Sequence, residues 1–233
     1  MSISVAMAVY NGEKYLKEQI DSILPQLKEE DELVISYNFS EDGTEDIIRS
    51  YEKSDSRVKV YVCKEKGVIP NFENAIRKCT NEIIFLSDQD DVWDENKVEI
   101  IIKIFSDKTI GAVAHDCVYI DKDRRICKIQ PRKQYSRKIS LFEIIKRNPV
   151  QGSCLAFRRE LRDFIIPFPD NIPMHDSWIG ARICMRSKLI YIENKLILYR
   201  QHDESVTKRN HKRIPEMVKD RLCLLKRLII SRF

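Results

Sequence analysis

Residues 82–105 read Glu82-Ile83-Ile84-Phe85-Leu86-Ser87-Asp88-Gln89-Asp90-Asp91-Val92-Trp93-Asp94-Glu95-Asn96-Lys97-Val98-Glu99-Ile100-Ile101-Ile102-Lys103-Ile104-Phe105. The apolar run Ile83 to Leu86 makes residues 82–87 a short buried strand. Residues 96–105 carry a helical pattern, and an acidic turn lies between the two. Upstream, the same unit of strand, loop and helix occurs three times. Strands are expected at 3–9, 32–36 and 58–63, and helices at 13–27, 44–53 and 71–79, with Pro25 kinking or ending the first helix. Four alternations imply an α/β fold: a single, mostly parallel sheet with helices on both faces. Ligands of such sheets bind beyond the carboxyl ends of the strands, which singles out loops 10–12, 37–43, 64–70 and 88–94. No G-x-G-x-x-G follows the first strand, so a dinucleotide oxidoreductase is excluded.

The second half is less regular. Strands are expected at 111–120, 153–157, 189–192 and 196–200, and helices at 141–147 and 176–187. Residues 125–130 pair with 111–120 across Asp121-Lys122-Asp123-Arg124 in this reading.

Composition sets the bounds. The 233 residues are 43% hydrophobic and 33% charged, which is globular. No apolar run approaches the roughly 18 residues of a spanning helix, and no basic segment precedes the apolar start of the chain, which argues against a secretory signal. The seven cysteines are odd in number and form no C-x-x-C pair, so reduced thiols in a cytoplasmic setting are expected. From Lys208 to Phe233 there are nine Lys/Arg and two Asp/Glu; this +7 segment leaves −2 for the rest of a chain whose total is +5. Ile214, Met217, Val218, Leu222, Leu225, Leu228 and Ile229 recur there mostly at helical spacing. A basic amphipathic helix is expected, and three readings stand: its charged face is simply solvated, it lies on an anionic membrane surface, or its apolar stripe docks on the domain. No nucleic-acid motif accompanies it.

Three carboxylates within four residues, Asp88, Asp90 and Asp91, repel one another and require cations or strong hydrogen bonding. Oxygen ligands suit Mg²⁺ or Mn²⁺. The competing reading is helix capping and a solvated turn.

With this cluster the chain resembles the inverting nucleotide-sugar glycosyltransferases of family 2, which have the GT-A fold. The resemblance rests on five segments in order. They are Ser4-Val5-Ala6-Met7-Ala8-Val9-Tyr10-Asn11-Gly12, Phe85-Leu86-Ser87-Asp88-Gln89-Asp90-Asp91-Val92-Trp93, Gly152-Ser153-Cys154-Leu155-Ala156-Phe157-Arg158-Arg159, Pro173-Met174-His175-Asp176-Ser177-Trp178-Ile179-Gly180 and Leu198-Tyr199-Arg200-Gln201-His202. It covers roughly residues 2–202 and looks like the branch that builds bacterial surface polysaccharides, rhamnosyltransferases included.

The resemblance implies a donor (UDP- or dTDP-linked sugar), an acceptor hydroxyl on a growing, lipid-linked glycan, and a divalent cation, Mn²⁺ or Mg²⁺. Ala8, Tyr10 and Asn11 match the loop against the nucleotide base, Asp88 the ribose contact, and Asp90 the metal ligand. Asp176, near a helix start that favours its ionised form, matches the general base. Arg200 is expected on the diphosphate and His202 on the metal, the alternative being an arginine paired with a carboxylate and a surface histidine. Asp91, Trp93, His175 and Trp178 are expected around the sugar or acceptor, with core packing the alternative for each tryptophan. The implied organisation is a GT-A domain over 1–203, with a nucleotide-binding half (1–110) and an acceptor-binding half (111–203). A basic tail follows at 204–233. The implied location is cytoplasmic, peripheral on the inner face of the membrane.

One segment departs from the family pattern. Ser36-Tyr37-Asn38-Phe39-Ser40 stands where S-D-D-G-S is usual, so Tyr37 and Asn38 replace two aspartates and Phe39 a glycine. Asn38 keeps an acceptor oxygen for a pyrimidine N3–H, without charge assistance. The alternative is a degenerate, non-catalytic nucleotide- or glycan-binding domain.

Overall fold

The structure is a computed structural model and describes residues 1–127, 138–202 and 214–231. Strands β1 (Ile3–Val9), β2 (Glu32–Tyr37), β3 (Val58–Val62) and β4 (Ile83–Ser87) pair in parallel in the order β3-β2-β1-β4. The sheet continues through β8 (Leu155–Arg158), β6 (Ile110–Ile120) and β9 (Lys188–Arg200), with β8 antiparallel to both neighbours and β6 parallel to β9. Two short strands, β5 (Val92–Trp93) and β7 (Lys138–Ile139), add antiparallel to β9. The α/β sheet with a parallel N-terminal half is thus as expected.

Alternation along β1 explains the two layers. Ile3, Val5, Met7 and Val9 pack with α1 (Leu16–Ile23), α2 (Thr44–Ser54) and α4 (Lys97–Ile104). Ala6 faces the other way, into the core under α3 (Val68–Lys78), α5 (Leu141–Arg147) and α7 (His175–Cys184). Pro25 ends α1, and the chain continues as one 3₁₀ turn, Leu24–Gln26. α3 begins three residues before the expected Asn71, because Gly67 takes φ 123°, a conformation open to glycine, and turns the chain into the helix.

Two expectations change in the C-terminal half. Residues 189–192 and 196–200 belong to one strand, β9, in which Glu193 and Asn194 form an irregularity between the pairs His115–Ile192 and Asp116–Lys195. These exposed polar residues fall between two expected strands and are a bulge in the fold. The expected 125–130 partner of β6 reduces to a bridge between Ile120 and Ile126; residues 128–130 lie outside the described residues, as do the start of the tail and its boundary near 203.

Helix α8 (Ile214–Ile230) docks on α5 and α7. Leu224 and Leu228 enter the core, and Arg182 Nη1 donates to the Ser231 carbonyl at 3.0 Å. Met217, Val218, Leu222, Ile229 and Ile230 stay exposed. The apolar stripe therefore divides: one edge docks and the rest faces solvent beside Lys219 and Lys226. No helix among the described residues is long and apolar enough to cross a membrane. Leu224→Ala should lower the unfolding free energy in urea by about 2–4 kcal/mol, and Leu222→Ala by less than about 0.5 kcal/mol. Equal effects would contradict this docking.

Candidate active site

The strand order reverses between β1 and β4, and the loops leaving their carboxyl ends diverge there. A cavity of about 1150 Å³ opens at this point, lined by residues that follow β1, β2, β3 and β4, by Gln151 and Gly152, and by the first turn of α7. Ala8, Tyr10, Asn11, Asn38, Asp88, Asp90, His175, Asp176 and His202 all line it. The fold thus brings the acidic turn of the N-terminal half against Asp176 and His202 of the C-terminal half.

The acidic turn is held from every side. Gln19 of α1 is fully buried, and its Nε2 donates to Ser87 Oγ at 2.8 Å and to the Asp88 carbonyl at 2.9 Å. Arg200 Nε donates to the Asp90 carbonyl at 2.9 Å, and the Arg200 backbone N–H donates to Asp91 Oδ1 at 3.0 Å. Below the turn, Lys97 is buried; its Nζ donates to the Ser153 carbonyl at 2.9 Å and lies 3.9 Å from the Trp93 ring centroid.

Charge crowding marks the site. Asp88 rises from a densely packed floor; burial, then the charges of Asp90 and Asp176, push its carboxyl up to about 7. Burial, then Asp90 and Asp88, push Asp91 well above the usual carboxylate range. Burial drives the Lys97 ammonium down to about 7, although Cys154, Asp91 and Asp88 pull it back. His175 stacks on Phe72 with centroids 4.1 Å apart, neither ring nitrogen has a hydrogen-bond partner among the described residues, and burial lowers it to about 3. It therefore stands beside Asp176 as a neutral ring.

Four expected site residues lie elsewhere. Arg200 is 2% exposed, and its guanidinium serves Glu18 Oε2 at 2.6 Å, the Asp90 carbonyl and the Lys122 carbonyl while stacking over Tyr15. It ties α1 and β9 to the acidic turn and does not line the cavity. Asp91 points down into the protein toward Arg200 N. Trp93 packs on Phe85 and under Lys97, and Trp178 is core, donating from Nε1 to the Ile165 carbonyl at 2.9 Å. Both tryptophans follow the core-packing alternative because their ring faces complete the two apolar layers.

The departing loop is also accounted for. Tyr37 turns away from the cavity and donates to Glu45 Oε1 at 2.7 Å. Asn38 Nδ2 donates to the carbonyls of Cys63 and Glu65 at 2.8 and 2.9 Å, and its Oδ1 accepts from Gly67 N at 3.2 Å. The side chain is a pin between the β2 and β3 loops, which leaves one lone pair of Oδ1 for a ligand. Phe39 is not among the residues with positive φ, so this turn accepts a side chain where glycine was usual. Sequence reasoning missed Glu13, Lys14, Asp42, Lys66, Asn71 and Gln151, which also line the cavity. For Asp42 and Lys66 the signal existed, since loops 37–43 and 64–70 are strand carboxyl ends; the others sit on helices or irregular backbone with no local pattern.

The residues present fit a divalent cation. His202 Nε2 lies 2.8 Å from Asp90 Oδ2, and both side chains are mostly buried at the cavity edge. Among the described residues no group of three or more His, Cys, Asp or Glu is arranged around a metal. One carboxylate and one imidazole suit an ion whose other positions go to substrate phosphate and water, as Mg²⁺ and Mn²⁺ prefer.

A Rossmann-like sheet with an acidic turn at its switch point and a facing helical aspartate defines a GT-A fold. Residues 4–165 match the model for glycosyl transferase family 2, and the chain belongs to that family. It is 28% identical over 215 residues to an uncharacterized glycosyltransferase of Nostoc sp., covering 87% of this chain and 65% of that one. It is 32% identical over 98 residues to the putative teichuronic acid biosynthesis glycosyltransferase TuaG of Bacillus subtilis, covering 42% and 39%. The chain therefore spans less than two thirds of the length of these relatives. Among solved structures, S. aureus TarS 1–349 in complex with UDP-GlcNAc has a TM-score of 0.75 at 16% identity, over 99% of this chain and 66% of that one. The mannosyltransferase PcManGT of Pyrobaculum calidifontis, in complex with GDP-Man and Mn²⁺, has a TM-score of 0.70 at 22% identity, over 98% and 64%. These two likenesses establish the fold.

Arg200→Met should remove about 2 kcal/mol of folding stability, because it leaves the Asp90 and Lys122 carbonyls without their donor and takes away one of the two arginines on Glu18, the other being Arg124 at 2.9 Å. Unchanged stability with weakened nucleotide binding would instead return Arg200 to the diphosphate.

Proposed function

We propose that the chain is an inverting, metal-dependent glycosyltransferase that moves a sugar from a UDP- or dTDP-linked donor to a hydroxyl of a growing, lipid-linked surface glycan. The observation that carries this reading is the convergence of Asp88, Asp90 and Asp176 on one cavity at the switch point of the sheet. The teichuronic acid relative supports the polysaccharide class of product, and the branch that includes rhamnosyltransferases rests on the sequence resemblance alone.

In this reading Ala8, Tyr10 and Asn11 receive the nucleoside, Asp88 the ribose, and His175 forms part of the sugar or acceptor wall. Asp90 and His202 hold the cation. That cation supplies neutralisation of the charge developing on the departing diphosphate. Asp176 accepts the proton of the acceptor hydroxyl. The acceptor oxygen bonds to the anomeric carbon as the bond from that carbon to the diphosphate breaks, so one displacement inverts the centre. Asp176 occupies the first turn of α7, where the helix dipole favours its carboxylate. The neutral, apolar-packed His175 excludes water beside it without adding positive charge.

Calorimetry with UDP, dTDP and GDP, each with and without Mn²⁺, tests the donor site; binding of a uracil or thymine nucleotide that strengthens with Mn²⁺ is expected. Asp176→Asn should then lower transfer by about 10²–10⁴-fold and leave nucleotide affinity within about twofold. Transfer at the wild-type level would remove Asp176 from the chemistry. The second reading, nucleotide binding without turnover, draws on the commitment of Asn38 to the protein's own loops. Nucleotide binding by a wild-type chain that releases no sugar would sustain it.

The anionic membrane surface is the proposed location, at the cytoplasmic face. The exposed edge of α8, with Met217, Val218 and Leu222 beside Lys219 and Lys226, supports it. Because α8 also closes the core, point changes test this better than truncation. Leu222→Ser with Lys219→Glu should reduce sedimentation with phosphatidylglycerol vesicles several-fold and leave the fold intact. A wild-type chain that never sediments would sink the membrane reading.

A further inference from the structure

Parallel pairing between β1 and β4 ends at Met7 and Ser87. Beyond that register the strands part to open the cavity, and no ladder links the loop after β1 to the acidic turn. A side chain takes the place of the ladder. Gln89 Oε1 accepts from the Tyr10 N–H at 2.8 Å, and Gln89 Nε2 donates to the Tyr10 carbonyl at 2.9 Å. The primary amide engages both backbone groups of one residue, as a neighbouring strand does. Glutamine meets this need where close relatives fail. Asparagine is one methylene shorter, and glutamate has no donor for the carbonyl. The fit is close on the other side as well: a Cβ at Gly12 would stand 2.7 Å from Gln89 Oε1.

The far side of the same loop is fixed to the loop after β2 and to the first residue of α2. Asn11, at φ 46°, donates from N to Ser40 Oγ at 3.0 Å, its Oδ1 accepts from Glu41 N at 3.1 Å, and Gly12 N donates to Thr44 Oγ1 at 2.7 Å. The bonds to the Tyr10 backbone from the acidic turn come from Gln89, the residue between Asp88 and Asp90.

We propose that Gln89 is a positioning residue that couples the nucleoside slot to the cation site: a cation at Asp90 and His202 would fix the Asp90 side chain at the edge of the acidic turn, and Gln89, its chain neighbour, passes that order to Tyr10. The inference rests on the nucleotide-sugar reading above. It makes nucleoside binding metal-dependent through the protein, apart from any bridge through phosphate.

A ligand without phosphate isolates the effect. Uridine, thymidine and guanosine are titrated calorimetrically into wild type, Gln89→Ala and Gln89→Glu, with and without Mg²⁺, with the matching diphosphates run in parallel. In the wild type Mg²⁺ should tighten uridine or thymidine binding by about threefold or more. In Gln89→Ala the affinity with Mg²⁺ should fall about tenfold and the Mg²⁺ effect should vanish, while Gln89→Glu, which keeps only the acceptor, falls between. The melting temperature should hold within about 3 °C, which separates positioning from general loss of structure. Diphosphate binding by wild type with no Mg²⁺-dependent nucleoside binding, or an undiminished Mg²⁺ effect in Gln89→Ala, overturns the coupling alone. Failure of every diphosphate to bind overturns the nucleotide reading with it.

Discussion

Three carboxylates placed in one turn at the end of a buried strand create the constraint on which the remainder of the molecule depends. In water their repulsion would be slight, but at the floor of a cavity each charge loses solvent while its neighbours stand within a few ångströms. The turn cannot be stabilised locally, because its own backbone supplies too few donors. Donors therefore arrive from distant parts of the chain, Gln19 from α1 and the Arg200 backbone and guanidinium from the end of β9, while Lys97, bonded to the Ser153 carbonyl, lies beneath and interacts with Asp88 and Asp91 through charge. The cost of burying Arg200 and Lys97 is offset only where those partners are in place. This is why the two halves of the chain meet at the turn.

That meeting also orders the C-terminal half. Once the end of β9 is fixed by Arg200, His202 falls beside Asp90 without a loop of its own to place it. α7 crosses the same cavity because its core face, Trp178, Ile179 and Ile183, packs under the sheet and sends His175 and Asp176 toward the opening. One packing requirement thus delivers the aspartate, and one electrostatic requirement delivers the histidine.

The parallel half was legible because each of its strands is a short apolar run followed by a loop and an amphipathic helix, a pattern set by local burial. The acidic turn was legible for the opposite reason: three aspartates after a buried strand have no packing explanation. What escaped was non-local. Trp93 and Trp178 look alike in sequence as pocket walls and core plugs, and only the layer geometry sends both inward. Arg200 has the chemistry of a diphosphate ligand, and its actual partners, Glu18 and two carbonyls, come from segments far away in sequence. Glu193 and Asn194 showed the polarity of a turn, yet the hydrogen bonds of β6 carry the strand through them. The division of α8 into a docked and an exposed edge depended on where α5 and α7 lie.

The altered segment after β2 is the sharpest case of a residue whose meaning depends on its partners. Read against the aspartates usual there, Tyr37 and Asn38 look like losses. In the fold, Tyr37 anchors α2 through Glu45, and Asn38 ties the β3 loop to β2 with three hydrogen bonds. An aspartate at position 38 could accept from Gly67 but could not donate to Cys63 and Glu65, so the loop carrying Lys66 and Gly67 would lose two of its tethers. The amide thus gives up the charge of an aspartate, keeps one acceptor lone pair, and gains a rigid wall. A rigid wall discriminates among ligands by shape and by the backbone groups it presents. At this end of the cavity the placement of the loops is set by two amides, Gln89 and Asn38, and on the function proposed above selectivity would rest on that placement more than on one charged hydrogen bond.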